Sequence, residues 1–238
     1  MKKLLTLLAL TSLIMIDAQA KEIYATFTVQ AEKSANLAFS ASGIVDKVLV
    51  DISDEVKKGD TLVKLQNEDL KAFLNITQTA LKYAKKDYNR RLKVKSIIDQ
   101  AEFDKYASKY ANAKAQLVYQ QAILDKTILK APFDGVIYEK IIEVGDAVSG
   151  AMIRTVFKIQ SKTKRKLVLE FDQKYWMDVK VGDTFSYKVD GSDTAHKGTI
   201  TKIYPAIDSQ KRKIKAEVKA KYFIVGLFGD GTIITEKK

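Results

Sequence analysis

Apolar and polar residues alternate with a period near two from Ile23 to Leu65. Within that stretch Ile44, Val45, Val48, Val50, Ile52 and Val56 interleave with charged residues, which predicts half-buried strands. From Asn67 to about Lys126 the period becomes helical, and from Leu129 onward strand patterns return. Gly-Asp turns punctuate that last part at Gly145-Asp146, Gly182-Asp183 and Gly229-Asp230. The helical stretch is therefore an excursion from a mainly β body.

Within the excursion, Leu74, Thr77, Leu81, Ala84, Tyr88 and either Arg91 or Leu92 fall at alternating steps of three and four. The same steps return at Phe103, Tyr106, Tyr110, Ala113, Leu117, Gln120 and Leu124. Two seams with a 3.5-residue period predict two helices packed as a coiled coil. Between them, Asp99 followed by Glu102 reads as a capping box that starts the second helix. Asn67, ahead of Glu68 and Asp69, reads as an acceptor cap on the first. Pro132 enforces an extended approach after the second helix. At 1.5 Å per residue, arms of about thirty residues reach roughly 40–45 Å, too long to fold back on a small β domain. An antiparallel hairpin must project.

The flanks of the hairpin repeat each other. Laying Gly43 on Gly135 pairs Val45 with Ile137, Leu49 with Ile141, Ile52 with Val144, Asp54 with Asp146 and Val56 with Val148. After a two-residue slip, Leu62–Leu65 pairs with Val156–Ile159. A half-motif of this size does not bury its apolar face alone, so two of them are expected to close into one small sandwich. Asp54 and Asp146 are then turn residues rather than a carboxylate pair.

Composition narrows the chemistry. Of 238 residues none is cysteine and one, His196, is histidine. Disulfides, thiolate nucleophiles and sulfur-ligated zinc are excluded, and little remains for a Ser/His/Asp triad or a multi-histidine metal site. His196 is expected at the surface of a hairpin, and Trp176 with Tyr175 as an apolar anchor. The formal charge of +12 suggests an acidic partner or surface. Seven basic residues against one acid lie between Lys82 and Lys95. They form either a patch for an acidic partner or the solvated outside of a helix. Tyr106 and Tyr110 sit on the seam and are expected to pack.

At the N-terminus, Lys2 and Lys3 precede thirteen apolar or neutral residues, Leu4–Ile16, and then Ala18-Gln19-Ala20. That is the pattern of a signal peptide, expected to be cleaved after Ala20; retention as an anchor is the alternative.

Several strings together resemble the periplasmic adaptor, or membrane fusion, proteins of tripartite efflux systems of the resistance-nodulation-division (RND) type. They are Ser42-Gly43-Ile44-Val45, Val56-Lys57-Lys58-Gly59-Asp60-Thr61-Leu62, Ala131-Pro132-Phe133-Asp134-Gly135-Val136-Ile137 and Val144-Gly145-Asp146-Ala147-Val148. Farther on, Leu167–Asp172, Val181-Gly182-Asp183, Gly198-Thr199-Ile200 and Ile203–Asp208 are similar to the family's β-barrel domain. The resemblance implies a mainly β fold with a long α-helical hairpin. A lipoyl-like β-sandwich would occupy 43–66 and 131–160, and the coiled-coil hairpin 67–130. A C-terminal β-barrel domain would occupy 161–238, joined by strands from 21–42.

It further implies a non-enzymatic, cofactor-free adaptor in the periplasm, held at the inner membrane through its pump. The adaptor would bridge an inner-membrane efflux pump and an outer-membrane channel for export of drugs or other small molecules. Self-association, commonly as a hexameric ring, belongs to the same expectation. The tip contact would fall on Arg90, Arg91, Leu92, Lys95, Ser96 and Asp99. Leu92 matches the family's leucine position if Ile98-Asp99 aligns with its Ile-Ser; Asp99 then replaces the serine and Tyr88 the arginine, while Ser96 is the alternative serine. An adaptor of an ABC-type exporter and a stand-alone periplasmic coiled-coil binding protein are the alternatives. Metal handling is disfavoured, since beyond the signal only Met152 and Met177 offer soft ligands. A swinging-arm carrier would need a modifiable lysine where the hairpin lies, and nucleic-acid binding lacks a recognition motif.

Overall fold

The computed structural model describes residues 21–208 and 210–235. The expected cleavage after Ala20 lies outside the described residues. The chain divides into two units, one running from residue 31 to 162 and the other combining the N-terminal stretch to Gln30 with Thr163 onward.

The second of these units is a closed six-stranded barrel. Its strands are β1 (Lys21–Ala31), β10 (Lys164–Asp172), β11 (Thr184–Val189), β12 (His196–Asp208), β13 (Lys213–Lys221) and β14 (Phe228–Thr235). They follow the order β1-β10-β13-β12-β11-β14, and β14 closes on β1. Alternation decides which residues point inward: along β1, Ile23, Ala25, Phe27 and Val29 are buried, and along β10 Leu167, Leu169 and Phe171 join them. Phe27 meets Phe185 edge to face at 5.8 Å, and Phe185 stacks on Tyr187 at 5.3 Å. His196 is half-buried at the start of β12, between the rings of Tyr187 (5.4 Å) and Phe223 (5.2 Å). Tyr175 packs on the barrel core, whereas Trp176 is 65% exposed. The expected anchor is thus Tyr175 alone, because the 3₁₀ turn over Gln173–Tyr175 sends consecutive side chains in different directions.

The other unit carries the sandwich and the hairpin. Its β strands are β2 (Ser34–Leu37), β3 (Gly43–Val48), β4 (Glu55–Val56), β5 (Thr61–Leu65), β6 (Ile128–Lys130), β7 (Gly135–Lys140), β8 (Ala147–Val148) and β9 (Phe157–Gln160). They form two four-stranded sheets, β2-β9-β7-β4 and β6-β5-β3-β8. Each half-motif lends its short strand to the other: β4 pairs with β7, and β8 pairs with β3. That exchange is why neither half closes alone. The repeat is visible in single hydrogen bonds. Ser53 N–H donates to the Ile137 carbonyl (2.8 Å) and Ile137 N–H to that of Asp54 (3.0 Å). In the other half, Gly145 N–H donates to Val45 (3.0 Å) and Val45 N–H to Asp146 (2.9 Å).

Asp54 and Asp146 do the same turn chemistry, accepting from the N–H of Asp51 (2.7 Å) and Glu143 (2.9 Å). The repeat even shares its backbone conformation, with φ +93° at Gly145 and φ +75° at Ser53, where a side chain makes it costly. At Gly135 a Cβ would come within 2.5 Å of the Gln160 carbonyl oxygen, so β7 and β9 need glycine to approach. One boundary differs from the sequence expectation. β2 pairs with β9, so residues 34–37 belong to the sandwich and only β1 of the 21–42 stretch enters the barrel. Three isolated apolar positions, Ala35, Leu37 and Phe39, do not announce which of two cores they join.

The hairpin consists of α1 (Glu68–Leu92) and α2 (Gln100–Asp125). At 25 and 26 residues, each arm is about 38 Å long. Leu74, Thr77, Ala84, Phe103, Gln120 and Leu124 are buried along the seam, and Leu81, Tyr88, Tyr106, Tyr110, Ala113 and Leu117 are half-buried. Asn67 does not cap α1 with its side chain. Its amide instead donates to the Thr127 hydroxyl (2.8 Å), and both residues are buried. Asn67 thereby ties the two helices at their base, and Glu68 and Asp69 are left to complement the helix dipole.

Candidate functional site: the distal end of the hairpin

Of the two residues that could complete the α1 seam, Arg91 turns inward and is half-buried, while Leu92 turns outward and is 47% exposed. Arg91 lies over the Tyr106 ring (4.8 Å to the centroid), reaches its hydroxyl (3.3 Å) and pairs with Glu102 (3.2 Å). The bond to Tyr106, aided by Glu102, raises the guanidinium further above its ordinary range, so its charge is fixed. One turn below, Tyr88 stacks on Tyr110 (5.3 Å) and tilts against Phe103 (5.7 Å). Lys95 lies over the outer face of Phe103 (4.7 Å).

Residues 93–99 close the loop as successive tight turns, with Val94 N–H donating to Arg91 (3.1 Å) and Ile97 N–H to Val94 (3.0 Å). Asp99 is the N-cap of α2, accepting from the N–H of Ala101 (2.9 Å) and Glu102 (3.2 Å). The six sequence-predicted tip residues therefore divide by role. Arg91 and Asp99 hold the loop in shape; Arg90, Leu92, Lys95 and Ser96 face solvent, with Arg90 paired to Asp87. Sequence reasoning passed over Ile97, the most exposed large apolar side chain of the described residues at 81%. The signal was available: Ile97 is a large apolar residue in the break, outside both seams.

The basic run is also placed. Lys82, Lys85, Lys86, Arg90, Lys93 and Lys95 are exposed, and Arg91 alone turns into the seam. The distal hairpin thus presents an apolar tip, Leu92 and Ile97, above a positively charged shaft. Another concavity, about 460 Å³ beside β8, is lined by Phe39, Ile142, Val148, Met152 and Arg154. Its one carboxylate, Asp146, already serves the turn. Among the described residues no group of three or more His, Cys, Asp or Glu is placed to hold a metal, and no helix is long and apolar enough to cross a membrane.

Residues 33–160, the sandwich with its hairpin, match the CzcB-like barrel-sandwich hybrid domain. The chain belongs to this family, one of periplasmic adaptor or membrane fusion proteins. A CzcB-like relative is the cobalt-zinc-cadmium resistance protein CzcB of Cupriavidus metallidurans. It is 28% identical over 205 residues, which cover 79% of this chain and 39% of that protein. An uncharacterized protein of Haemophilus influenzae is 26% identical over 210 residues, covering 82% of this chain and 52% of that one. The chain thus spans about half or less of the length of these curated relatives. Among solved structures, a MacA–MexA chimeric protein containing the Pseudomonas aeruginosa MexA α-hairpin domain superposes with a TM-score of 0.82 at 19% identity. The match covers 91% of this chain and 79% of that one. ZneB from Cupriavidus metallidurans superposes at 0.59 with 16% identity over 91% and 71% of the two chains. These two likenesses show the fold alone.

Proposed function

We propose that this chain is the periplasmic adaptor subunit of a tripartite efflux system, bridging an inner-membrane pump of the RND type and an outer-membrane channel. Its work is mechanical: it seals pump and channel into one conduit and catalyses nothing. Copies associate as a ring, and the hairpin tips meet the channel. Family membership supports the adaptor role, and the observation that carries the tip assignment is the exposure of Leu92 and Ile97 above a basic shaft. Large apolar side chains at the end of a projecting hairpin contribute little to the fold they cap, and they suit docking into a partner groove. Arg90, Lys95 and Ser96 line that contact, while Arg91 and Asp99 keep the loop in the docking shape. The charge of the shaft steers the tip toward an acidic rim.

The test is photo-crosslinking in cells from position 92, with a second probe at Trp176, an exposed aromatic of the barrel unit. The expected result is an adduct of position 92 with an outer-membrane protein and of position 176 with an inner-membrane one, each identified by mass. An inner-membrane adduct of the ABC type would correct the pump class. Adducts of both probes solely with further copies of this chain would overturn the bridge and leave a stand-alone coiled-coil protein.

A further inference from the structure

The two half-motifs of the sandwich match almost bond for bond, and they part at one place. In the first half, the turn between Val56 and Leu62 is held against the segment that follows β6. Lys58 N–H donates to the Asp134 carboxylate (2.7 Å), Gly59 N–H to the Ala131 carbonyl (2.8 Å) and Ala131 N–H to the Asp60 carbonyl (2.9 Å). The second half begins the same way. Gly150, the counterpart of Lys58, donates its N–H to the hydroxyl of Ser42, the counterpart of Asp134 (3.0 Å). From there to Val156 the chain has two residues more than from Lys58 to Leu62. It rejoins its neighbour where Val156 N–H donates to the Leu37 carbonyl (2.7 Å).

The extra length makes room. Residues 151–154 are exposed, and with β8 they border the concavity of about 460 Å³. Its floor is Phe39, Ile142 and Val156 of the sandwich core, and its rim carries Ile141 and Met152. Small-molecule sites typically enclose about 300–1,000 Å³ with mostly apolar walls and a few polar groups. Charge separates the two halves as well. Asp134 sets a carboxylate on the first turn, whereas Ser42 sets none on the second. Arg154 lines the concavity and, among the described residues, makes no ion pair. The carboxylate of the wall, Asp146, accepts the Glu143 N–H (2.9 Å). An apolar floor beside an uncompensated guanidinium suits a ligand with an apolar body and a negative head.

We propose that this concavity binds a small organic anion. Its body lies against Phe39, Ile142, Val156 and Met152, and its carboxylate or sulfonate meets the Arg154 guanidinium. The planar fork of arginine can give such a head two parallel hydrogen bonds, and the unbranched Met152 adapts to bodies of different shape. An exported molecule and an acyl chain released from a membrane would offer the same chemistry. The site lies wholly within the sandwich, so it stands or falls apart from the contacts of the hairpin tip and the barrel.

Calorimetric titration of the full chain with decane-1-sulfonate, naphthalene-2-sulfonate and decyltrimethylammonium, kept below micellar concentrations, tests the site. Both sulfonates are expected to bind one to one, and the ammonium at least about tenfold more weakly. The tighter sulfonate shows whether acyl or ring-bearing anions are the better ligands. Arg154→Gln should weaken both sulfonates about three- to tenfold. Arg154→Glu should reverse the preference between sulfonate and ammonium. Ala147→Trp, which fills the space from an exposed position on the wall, should abolish binding while circular dichroism stays unchanged. Because the chain is positive overall, the site must also be located. Amide shifts on titration should move at 37–42 and 146–156 and stay still along the hairpin. No sulfonate binding up to millimolar concentration, equal affinity for the two head charges, unchanged affinity in Arg154→Gln, or shifts confined to the hairpin would each overturn the proposal.

Discussion

The barrel and the hairpin bury their apolar residues in opposite ways. The barrel encloses one cluster of sixteen buried side chains, including Phe27, Phe171 and Phe185 at 2% exposure or less. The hairpin, although its helices are longer than any strand, buries only Leu74, Thr77, Ala84, Phe103, Gln120 and Leu124, and leaves Phe73, Ile76, Tyr83, Val118 and Tyr119 in solvent. A closed barrel surrounds its interior with its own strands, whereas two helices share a single seam and every other face is outside. The barrel is self-sufficient; the hairpin is finished by whatever it touches. Stability should therefore concentrate in the first and binding in the second.

The sharpest way to break this comparison is Phe185→Ala. It opens a cavity where Phe185 packs against Phe27 and Tyr187, and it should cost about 3–5 kcal/mol in urea denaturation. A cost as small as that of a hairpin residue would refute the claim that the barrel holds the stability. Tyr88→Ala should matter less, about 1–1.5 kcal/mol, through loss of its ring contacts with Tyr110 and Phe103. Hydrogen exchange should quicken across 68–125 while barrel amides keep their protection; a change shared by both would make the two regions one cooperative unit.

The smallest effect concerns acid. Burial opposes ionisation of Glu217, yet bonds from Lys166 (2.9 Å) and the Tyr204 hydroxyl (2.8 Å) prevail and hold its carboxyl below the usual range. Its folded pKa is thus below its unfolded one. The contribution is present above the ordinary carboxylate range and is lost as pH falls through the folded value. Glu217→Gln should flatten the acid limb of barrel unfolding and leave the hairpin's limb unchanged, which a pH series of denaturation midpoints would check.

Much of the fold was legible in advance because two kinds of period were clear. The seam residues Leu74 to Leu124 announced both helices, and the match of Gly43 with Gly135 announced the sandwich. Asp99 could be read as a cap because capping is local, satisfied within three residues by Ala101 and Glu102. Asn67 was misread for the complementary reason: its partner, Thr127, lies sixty residues away. The choice between Arg91 and Leu92 also waited for the fold, since at a helix end both positions lie near the seam and only Tyr106 and Glu102 draw one of them in.

By itself the amino-acid sequence determined the periods, the repeat, the turn aspartates Asp54 and Asp146 and the positive charge of the distal hairpin, because each is set by residues a few positions apart; Gly229-Asp230, which reads as a turn, lies within β14 instead. Tertiary structure alone decided three other things: that β2 joins the sandwich, that Asn67 binds Thr127 instead of capping α1, and that Ile97 stands out at the tip. Those depend on distances between residues remote in the chain, which alternation and spacing do not encode.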